Sequence, residues 1–381
     1  DPSGDLALRI VRDSDLLVYV QVPHADAVER LRKTMDAAGL LGSRVWVEEG
    51  ALSRIHLADN IADVLVGPDA TLLAPEEALR VVRPEGKAFL GNQALVKPFP
   101  GGIDDWSHPY HGPDQNPQSR DEVARAPYLT QFLAEPRYAA MTQAVVASAG
   151  RVFKAFGHTA FHEREEPYLS KLVAFNGYNG TILWTRDLTP GIMVHRNTMI
   201  ATPDVLYYGD ERSCKRIDAR TGEVLDEIVP PQDLVGGTFW KWMGLEDGVL
   251  YAVVGEDEFR DQQARWRREE HGWSWNEISE GFNRPEHIWG FGRSILAIDV
   301  TSKEILWHHR EEIPIDTRAT CMGDGRIFLF SFGAYLCALD AKSGEVLWRK
   351  TPENDPELMR LIGKDRNSQT ANSQWRISSF A

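Results

Sequence analysis

One eleven-residue phrase, written four times, limits what this chain can fold into. Ala338-Leu-Asp-Ala-Lys-Ser-Gly-Glu-Val-Leu-Trp348 is preceded by Ala174-Phe-Asn-Gly-Tyr-Asn-Gly-Thr-Ile-Leu-Trp184, Arg216-Ile-Asp-Ala-Arg-Thr-Gly-Glu-Val-Leu-Asp226 and Ala297-Ile-Asp-Val-Thr-Ser-Lys-Glu-Ile-Leu-Trp307. The phrases end at 184, 226, 307 and 348, giving steps of 42, 81 and 41 residues. The middle step is either two periods or one period plus an insertion. A period of about forty residues is the signature of a repeat architecture.

Each phrase predicts a hairpin: a short apolar strand, an Asp or Asn, a turn holding Gly, then a β-branched run closing on Trp. Asp218, Asp299 and Asp340 would accept hydrogen bonds from turn amides, and Gly180, Gly222 and Gly344 would supply a left-handed residue. Lys303 stands where that Gly belongs, which predicts a different or a strained turn. A second pattern of strand, Gly turn and strand lies upstream, at 144–153, 243–251 and 320–328. Two hairpins per period make a four-stranded sheet, and radial repetition of such sheets is a β-propeller.

The phrase Ala-x-Asp-x-x-Thr/Ser-Gly-Glu-x-Leu-Trp resembles the blade motif of the PQQ-like, or quinoprotein-type, β-propellers, in which the Trp packs between neighbouring blades. That broad family includes dehydrogenases that hold PQQ in the central channel and outer-membrane assembly scaffolds that use no cofactor. The resemblance therefore implies a fold and leaves the chemistry open. In a propeller the residues opening the innermost strands face the channel. Here these are His195 and Arg196, Lys241, and Asp316 with Arg318, which bring both signs of charge to a small polar ligand. No two Cys are adjacent, and Cys214, Cys321 and Cys337 are expected as small buried residues, with a disulfide as the alternative.

Residues 1–95 follow a different pattern, alternating strand and helix. Leu16–Val22 is an apolar strand, Asp26-Ala-Val-Glu29 a candidate capping box, and the helix that follows stops at Gly39. Further strands are expected at 44–48, 63–66 and 87–90, with a short helix opening at Pro75, so that helices would cover a parallel sheet. Asn60-Ile-Ala-Asp-Val-Leu-Val66 and Glu77-Ala-Leu-Arg-Val-Val-Arg-Pro-Glu-Gly86 resemble the later part of a class I methyltransferase Rossmann fold. The positions that would hold the ribose offer Val22-Pro23-His24 and Gly50-Ala51 in place of an acceptor. A degenerate, structural segment is expected, without S-adenosylmethionine.

Residues 96–140 read as a Pro/Gly/Asp-rich connector, and propeller blades as filling 141–381. The whole arrangement resembles large bacterial repeat proteins of the planctomycete type, usually described as PQQ-binding-like. Within the connector, His108, His111 and Asp114 stand close in sequence with Asp104 and Asp105. Their nitrogen and carboxylate donors suit a divalent metal, while Pro and Asp in the same stretch suit a rigid connector pinned by Trp106 and Tyr110. The insertion at 256–292 carries Trp273, Trp275 and Trp289, whose faces would suit a sugar or planar cofactor, or else a local core.

A net charge of −14 argues against nucleic acid or an anionic membrane as partner, and no transmembrane run is present. Asp1 is not a natural start, so a leader would lie outside this sequence. Residues 372–381 read as the opening strand of a fifth blade; a four-bladed ring is possible, but the resembled family usually closes with seven or eight blades, and an unclosed ring exposes two sheet edges. The expectation is a fragment whose missing blades come from another polypeptide or a second copy. Two functions fit. One is a non-enzymatic, periplasmic or otherwise extracytoplasmic scaffold in a larger assembly. The other is an extracytoplasmic oxidoreductase or carbohydrate-active protein using the channel, with PQQ or a divalent metal.

Overall fold

Between residues 5 and 96 the alternation of helix and strand takes shape as α1 (Asp5–Asp13), β1 (Val18–Val22), α2 (Ala25–Ala37), β2 (Val45–Glu49), β3 (Ala62–Gly67), α3 (Pro75–Val81), β4 (Val82–Leu90) and β5 (Gln93–Val96). The structure, a computed structural model, describes residues 3–67, 70–126, 130–157, 160, 162–192, 194–258 and 290–362. Contacts divide the chain into two units, Asp1–Ile103 with Arg125–Phe132, and Asp104–Ala124 with Leu133–Ala381. Residues 104–124 thus belong with the repeats.

In the first unit, α2 buries Val28, Leu31 and Met35 against Val20, Val22, Val45 and Val47 of the parallel pair β1 and β2. The expected single sheet does not form among the described residues. β3 and β4 pair in parallel and β5 joins them antiparallel, as a separate ladder. The chain between the ladders is held in turns instead: Gln21 Nε2 donates to the carbonyls of Ala51 and Arg54, and Glu77 accepts from the Ile55 amide. The capping box also fails. The helix starts one turn's fraction earlier, with His24 at its N-cap, and Asp26 pairs instead with Arg30 at 2.5 Å along the helix face. Gly39 ends it in the left-handed conformation, φ 68°.

The second unit holds four antiparallel sheets, each of four strands in chain order. The first blade is β6 (Thr142–Ser148), β7 (Arg151–Phe156), β8 (Lys171–Asn176) and β9 (Ile182–Asp187). The second is β10 (Met199–Ala201), β11 (Val205–Gly209), β12 (Cys214–Asp218) and β13 (Val224–Ile228), followed by the short helix α4 (Gln232–Val235). The third is β14 (Phe239–Glu246), β15 (Val249–Gly255), β16 (Phe291–Asp299) and β17 (Ile305–Asp316). The fourth is β18 (Cys321–Gly323), β19 (Arg326–Ser331), β20 (Tyr335–Asp340) and β21 (Val346–Lys350), with α5 (Pro356–Ile362) after it. The 81-residue step is therefore one period plus an insertion between β15 and β16. The lines 259–289, with Trp273, Trp275 and Trp289, and 363–381, with the expected fifth-blade strand, lie outside the described residues.

The phrase forms the turn between the last two strands of every blade. Asp218 Oδ1 accepts from the amides of Arg220 and Thr221 at 2.9 and 2.8 Å, and Asp299 and Asp340 repeat the pattern. Gly180, Gly222 and Gly344 take φ of 72°, 76° and 71°, and Lys303 takes 63°. The turn is thus kept at Lys303, and a side chain is carried in a backbone conformation that costs about 1–2 kcal/mol.

The closing Trp reaches the turn of the next blade. Trp184 donates Nε1–H to Ala219 O at 3.2 Å and lies so close to Gly222 that a Cβ there would sit 2.6 Å from the ring. Trp307 repeats this with Ala341 O at 2.9 Å and Gly344 at 2.5 Å. The junction between the second and third blades lacks a Trp, because Asp226 holds that position. There Arg216 donates to Val300 O at 3.1 Å, and Asp226 pairs with Lys303. Three apolar cores join consecutive blades, first to second, second to third and third to fourth. The outer face of the first blade is covered in part by Ala140, Tyr168 and Leu169, and that of the fourth in part by Leu358 and Ile362. Trp348, with no later turn described, is 36% exposed, against 8% for Trp184. All three cysteines are buried and unpaired with one another.

Candidate functional site

The first strand of each blade leaves a row of amides and carbonyls on its free edge, and residues 104–116 meet these groups in every blade. Trp106 exchanges two backbone hydrogen bonds with Ala147 of β6, at 2.9 and 2.7 Å. Ser107 O accepts from Ala201 N of β10 at 2.8 Å, and His108 Nε2 accepts from Leu245 N of β14 at 3.1 Å. Pro113 O accepts from Met322 N of β18 at 2.9 Å, and Gln115 Nε2 donates to Thr320 O. Asp105 adds bonds from the Ser148 hydroxyl and the Ala149 amide. The segment is therefore an internal strap that takes the inner edges in blade order.

His108 shows how tightly the strap is specified. Its Nε2 accepts the Leu245 amide, so the proton sits on Nδ1, which points at Ser107 Oγ 2.8 Å away, and that hydroxyl can donate onward to His111 O at 3.2 Å. Burial, reinforced by His111, pushes the His108 pKa down to about 3. Both ring nitrogens of His108 are thus engaged, and the imidazole does not activate Ser107. His111 Nε2 lies 2.7 Å from Asp104 Oδ2, whereas Asp114 accepts the Asn116 amide of its own turn. Among the described residues no three His, Cys, Asp or Glu side chains come close enough together to hold a metal ion.

Four of the five channel residues singled out in sequence, His195, Lys241, Asp316 and Arg318, converge on Gly290 and Phe291. Glu258, which sequence reasoning missed, joins two of them: its carboxylate lies 2.6 Å from His195 Nε2 and 3.2 Å from Lys241 Nζ, and accepts from Gly290 N at 3.0 Å. Lys241 also donates to Phe291 O at 2.8 Å. All three side chains are buried. Burial alone would raise the Glu258 carboxyl, but His195 and Lys241 hold it below the ordinary carboxylate range. Arg318 grips Asp316 through two nitrogens, at 2.7 and 2.5 Å, and its guanidinium lies 5.3 Å from the Phe291 ring centre. Arg196 is exposed. Glu258 and Gly290 flank residues 259–289, so the buried ions fix both stems of the insertion. The only sequence signal for Glu258 is its place in the acidic run Glu256-Asp257-Glu258.

A second buried carboxylate, Glu311, pairs with His309 at 2.7 Å and Arg349 at 2.5 Å. The neighbouring Cys337 thiol is pushed up to about 12, mainly by burial and then by Glu311.

The family model described as outer membrane protein assembly factor BamB matches residues 292–358, which span the end of the third blade and the fourth. The match thus falls on strands of the four-stranded repeat described above. No curated protein sequence matches. Among solved structures, BamB from Moraxella catarrhalis is similar at 11% identity and a TM-score of 0.32, over 54% of this chain and 50% of that one. A quinohemoprotein alcohol dehydrogenase from Pseudomonas putida HK5 is similar at 18% identity and a TM-score of 0.34, over 53% of this chain and 39% of that one. A europium-containing methanol dehydrogenase is similar at 12% identity and a TM-score of 0.35, over 54% of this chain and 41% of that one. The chain spans half the length of the BamB structure and less of the two dehydrogenases.

Proposed function

We propose that this protein is a non-enzymatic propeller scaffold, acting outside the cytoplasm as part of a larger assembly. The observation that carries the reading is the strap. The protein's own residues 104–116 bond to one or two backbone groups at the inner strand of each of the four blades, where an axial ligand would have to compete with them. The polar residues nearest the inner ends are likewise engaged internally, as Glu258 lies against His195 and Lys241, and Asp316 grips Arg318. What is left for recognition is the outer rim and the loops. The matched family's description as an outer-membrane assembly factor supports the extracytoplasmic placement and a protein partner. The first unit is a degenerate, methyltransferase-like segment with a structural role. Among the described residues no helix is long and apolar enough to cross a membrane.

The test is an absorption spectrum and metal analysis of protein purified from its native source, followed by equilibrium dialysis against PQQ with Ca²⁺. The scaffold reading expects no quinone band, no stoichiometric metal and no saturable PQQ uptake, with the protein recovered bound to another polypeptide. A stoichiometric quinone that survives purification, or saturable uptake at one per chain, would overturn it in favour of an oxidoreductase.

A further inference from the structure

A small cavity lies where the strap meets the second and third blades. Its volume is about 10 Å³, and its walls include His108, Tyr110 and Gln115 of the strap, with Asn197 just before β10 and Met243 of β14. A cavity of this size has room for one water molecule and little more. Two amide oxygens among the wall residues lack a donor. Gln115 is 5% exposed and donates Nε2 to Thr320 O just before β18, while its Oε1 is buried and meets no donor among the described residues. Turning this amide over would set its oxygen against the Thr320 carbonyl, so its orientation is fixed. Asn197, equally buried, donates Nδ2 to Thr317 O at 3.4 Å, and no donor among the described residues reaches its Oδ1. The other polar groups of the wall are engaged. His108 uses both ring nitrogens, and the carbonyls of Pro109 and Pro113 accept from Trp106 and Met322.

We propose that this cavity is a binding site for one structural water, which donates its two O–H groups to Gln115 Oε1 and Asn197 Oδ1. The match is one of count and of sign. Two buried acceptors lack donors, and a buried acceptor left unpaired is costly. Water brings two donors in the volume the walls allow, and a bridging water serves nearly as well as a direct hydrogen bond. A monovalent cation would also be drawn to amide oxygens, but no carboxylate lines the cavity to balance a buried charge. The water joins the end of the strap to the entry of the second blade, while the same Gln115 side chain holds the approach to the fourth. The site rests on the geometry of the strap and not on the scaffold reading, so it would stand even if an enzymatic activity were found elsewhere in the molecule.

Magnetic relaxation dispersion of oxygen-labelled water, recorded on the full chain, counts the waters that stay bound while the molecule tumbles. Gln115→Met keeps the bulk of the side chain and removes the acceptor. The wild type is expected to hold one more long-lived water per chain than this variant, and equal counts would overturn the proposal. A crystal structure of the wild type is the second readout and serves if the variant fails to fold. Solvent density within hydrogen-bonding distance of both amide oxygens is expected there, and a dry cavity would overturn the site. Anomalous signal in the cavity after exchange into rubidium chloride would assign it to a monovalent cation and overturn the water.

Discussion

Asp226 Oδ1 lies 3.2 Å from Lys303 Nζ, and the two residues are departures from the repeat at one junction, joined there by Arg216, which also pairs with Asp226 at 3.1 Å. They depend on each other. Where a Trp lies on the turn, only Gly leaves room, because a Cβ at Gly222 or Gly344 would meet the ring at 2.6 or 2.5 Å. Where Asp replaces the Trp, the turn is uncovered and a lysine fits, at the cost of a left-handed backbone. The ion pair is about one-third exposed and returns no more than about 1 kcal/mol.

Lys303→Gly should therefore stabilise the protein modestly. Relief of about 1–2 kcal/mol of backbone strain is set against the lost pair and the greater freedom of glycine in the unfolded chain. A net gain of about 0.5 kcal/mol is expected from urea midpoints, while Lys303→Val, β-branched and unable to pair, should lose about 1 kcal/mol or more. Equal midpoints for the two variants would show that the left-handed turn carries no strain.

Two glycines separate the cost of the turn from the cost of the ring. Gly222 and Gly248 share a left-handed backbone, at φ 76° and 77°, but a Cβ at Gly248 meets nothing within 4 Å. Gly248→Ala should cost about 1 kcal/mol, for backbone conformation alone. Gly222→Ala should cost at least about 2 kcal/mol more, since the Trp184 ring must move. Chemical denaturation of both variants checks the difference, and near-equal losses would rule out a tight Trp–Gly contact.

Glu258→Gln should cost about 3–5 kcal/mol, because Lys241 would keep a buried charge without its counter-ion. Adding Lys241→Met removes that charge and should recover most of the loss. A double-mutant cycle reads the coupling directly. If the two losses simply add, the buried triad is not a unit.

His108 predicts an acid limb. Its pKa is about 3 in the folded protein and about 6.5 in an unfolded chain. Between these values the unfolded state binds the extra proton. Stability is therefore full above about pH 6.5 and falls as pH drops, by up to about 1.4 kcal/mol per pH unit for this one group. Carboxylates with lowered pKa act at more acid pH, but His308, whose pKa is also lowered by burial, contributes in the interval from 6.5 to 5, so His108 is read there from the difference between wild type and variant. Urea midpoints across that interval should flatten in His108→Asn, which will itself be less stable for loss of the Leu245 amide's partner. An unchanged slope would contradict the buried, neutral imidazole.

Repeat period and turn chemistry made the blades legible in sequence, because both are local. Asp218, Gly222 and Trp184 announce a hairpin within eleven-residue phrases, and even Lys303 could be read as a strained turn. The strap was legible only as a rigid connector, since nothing local says that Ser107 will meet Ala201 or that Gln115 will meet Thr320. Glu258 was invisible for the same reason: its partner His195 lies 63 residues away, and an acidic run reads as surface until something buries it. The N-terminal strands were found one by one. Their division into two separate ladders was not predictable from each strand's pattern, because pairing depends on the segments between them, and those are held by Gln21 and Glu77.

The strap also sets an order of events. It precedes every blade along the chain, so during synthesis it is present before the first strand of the first blade emerges, and each new blade can close onto it in turn. The span of those closures lengthens steadily, from Trp106 with Ala147 in the first blade to Gln115 with Thr320, separated by 205 residues, in the last. Loop closure over such distances is slow. The fourth blade should therefore be the last to dock and the first to leave, and refolding from denaturant should pass through a species in which the early blades are protected from hydrogen exchange while β18 to β21 still exchange freely.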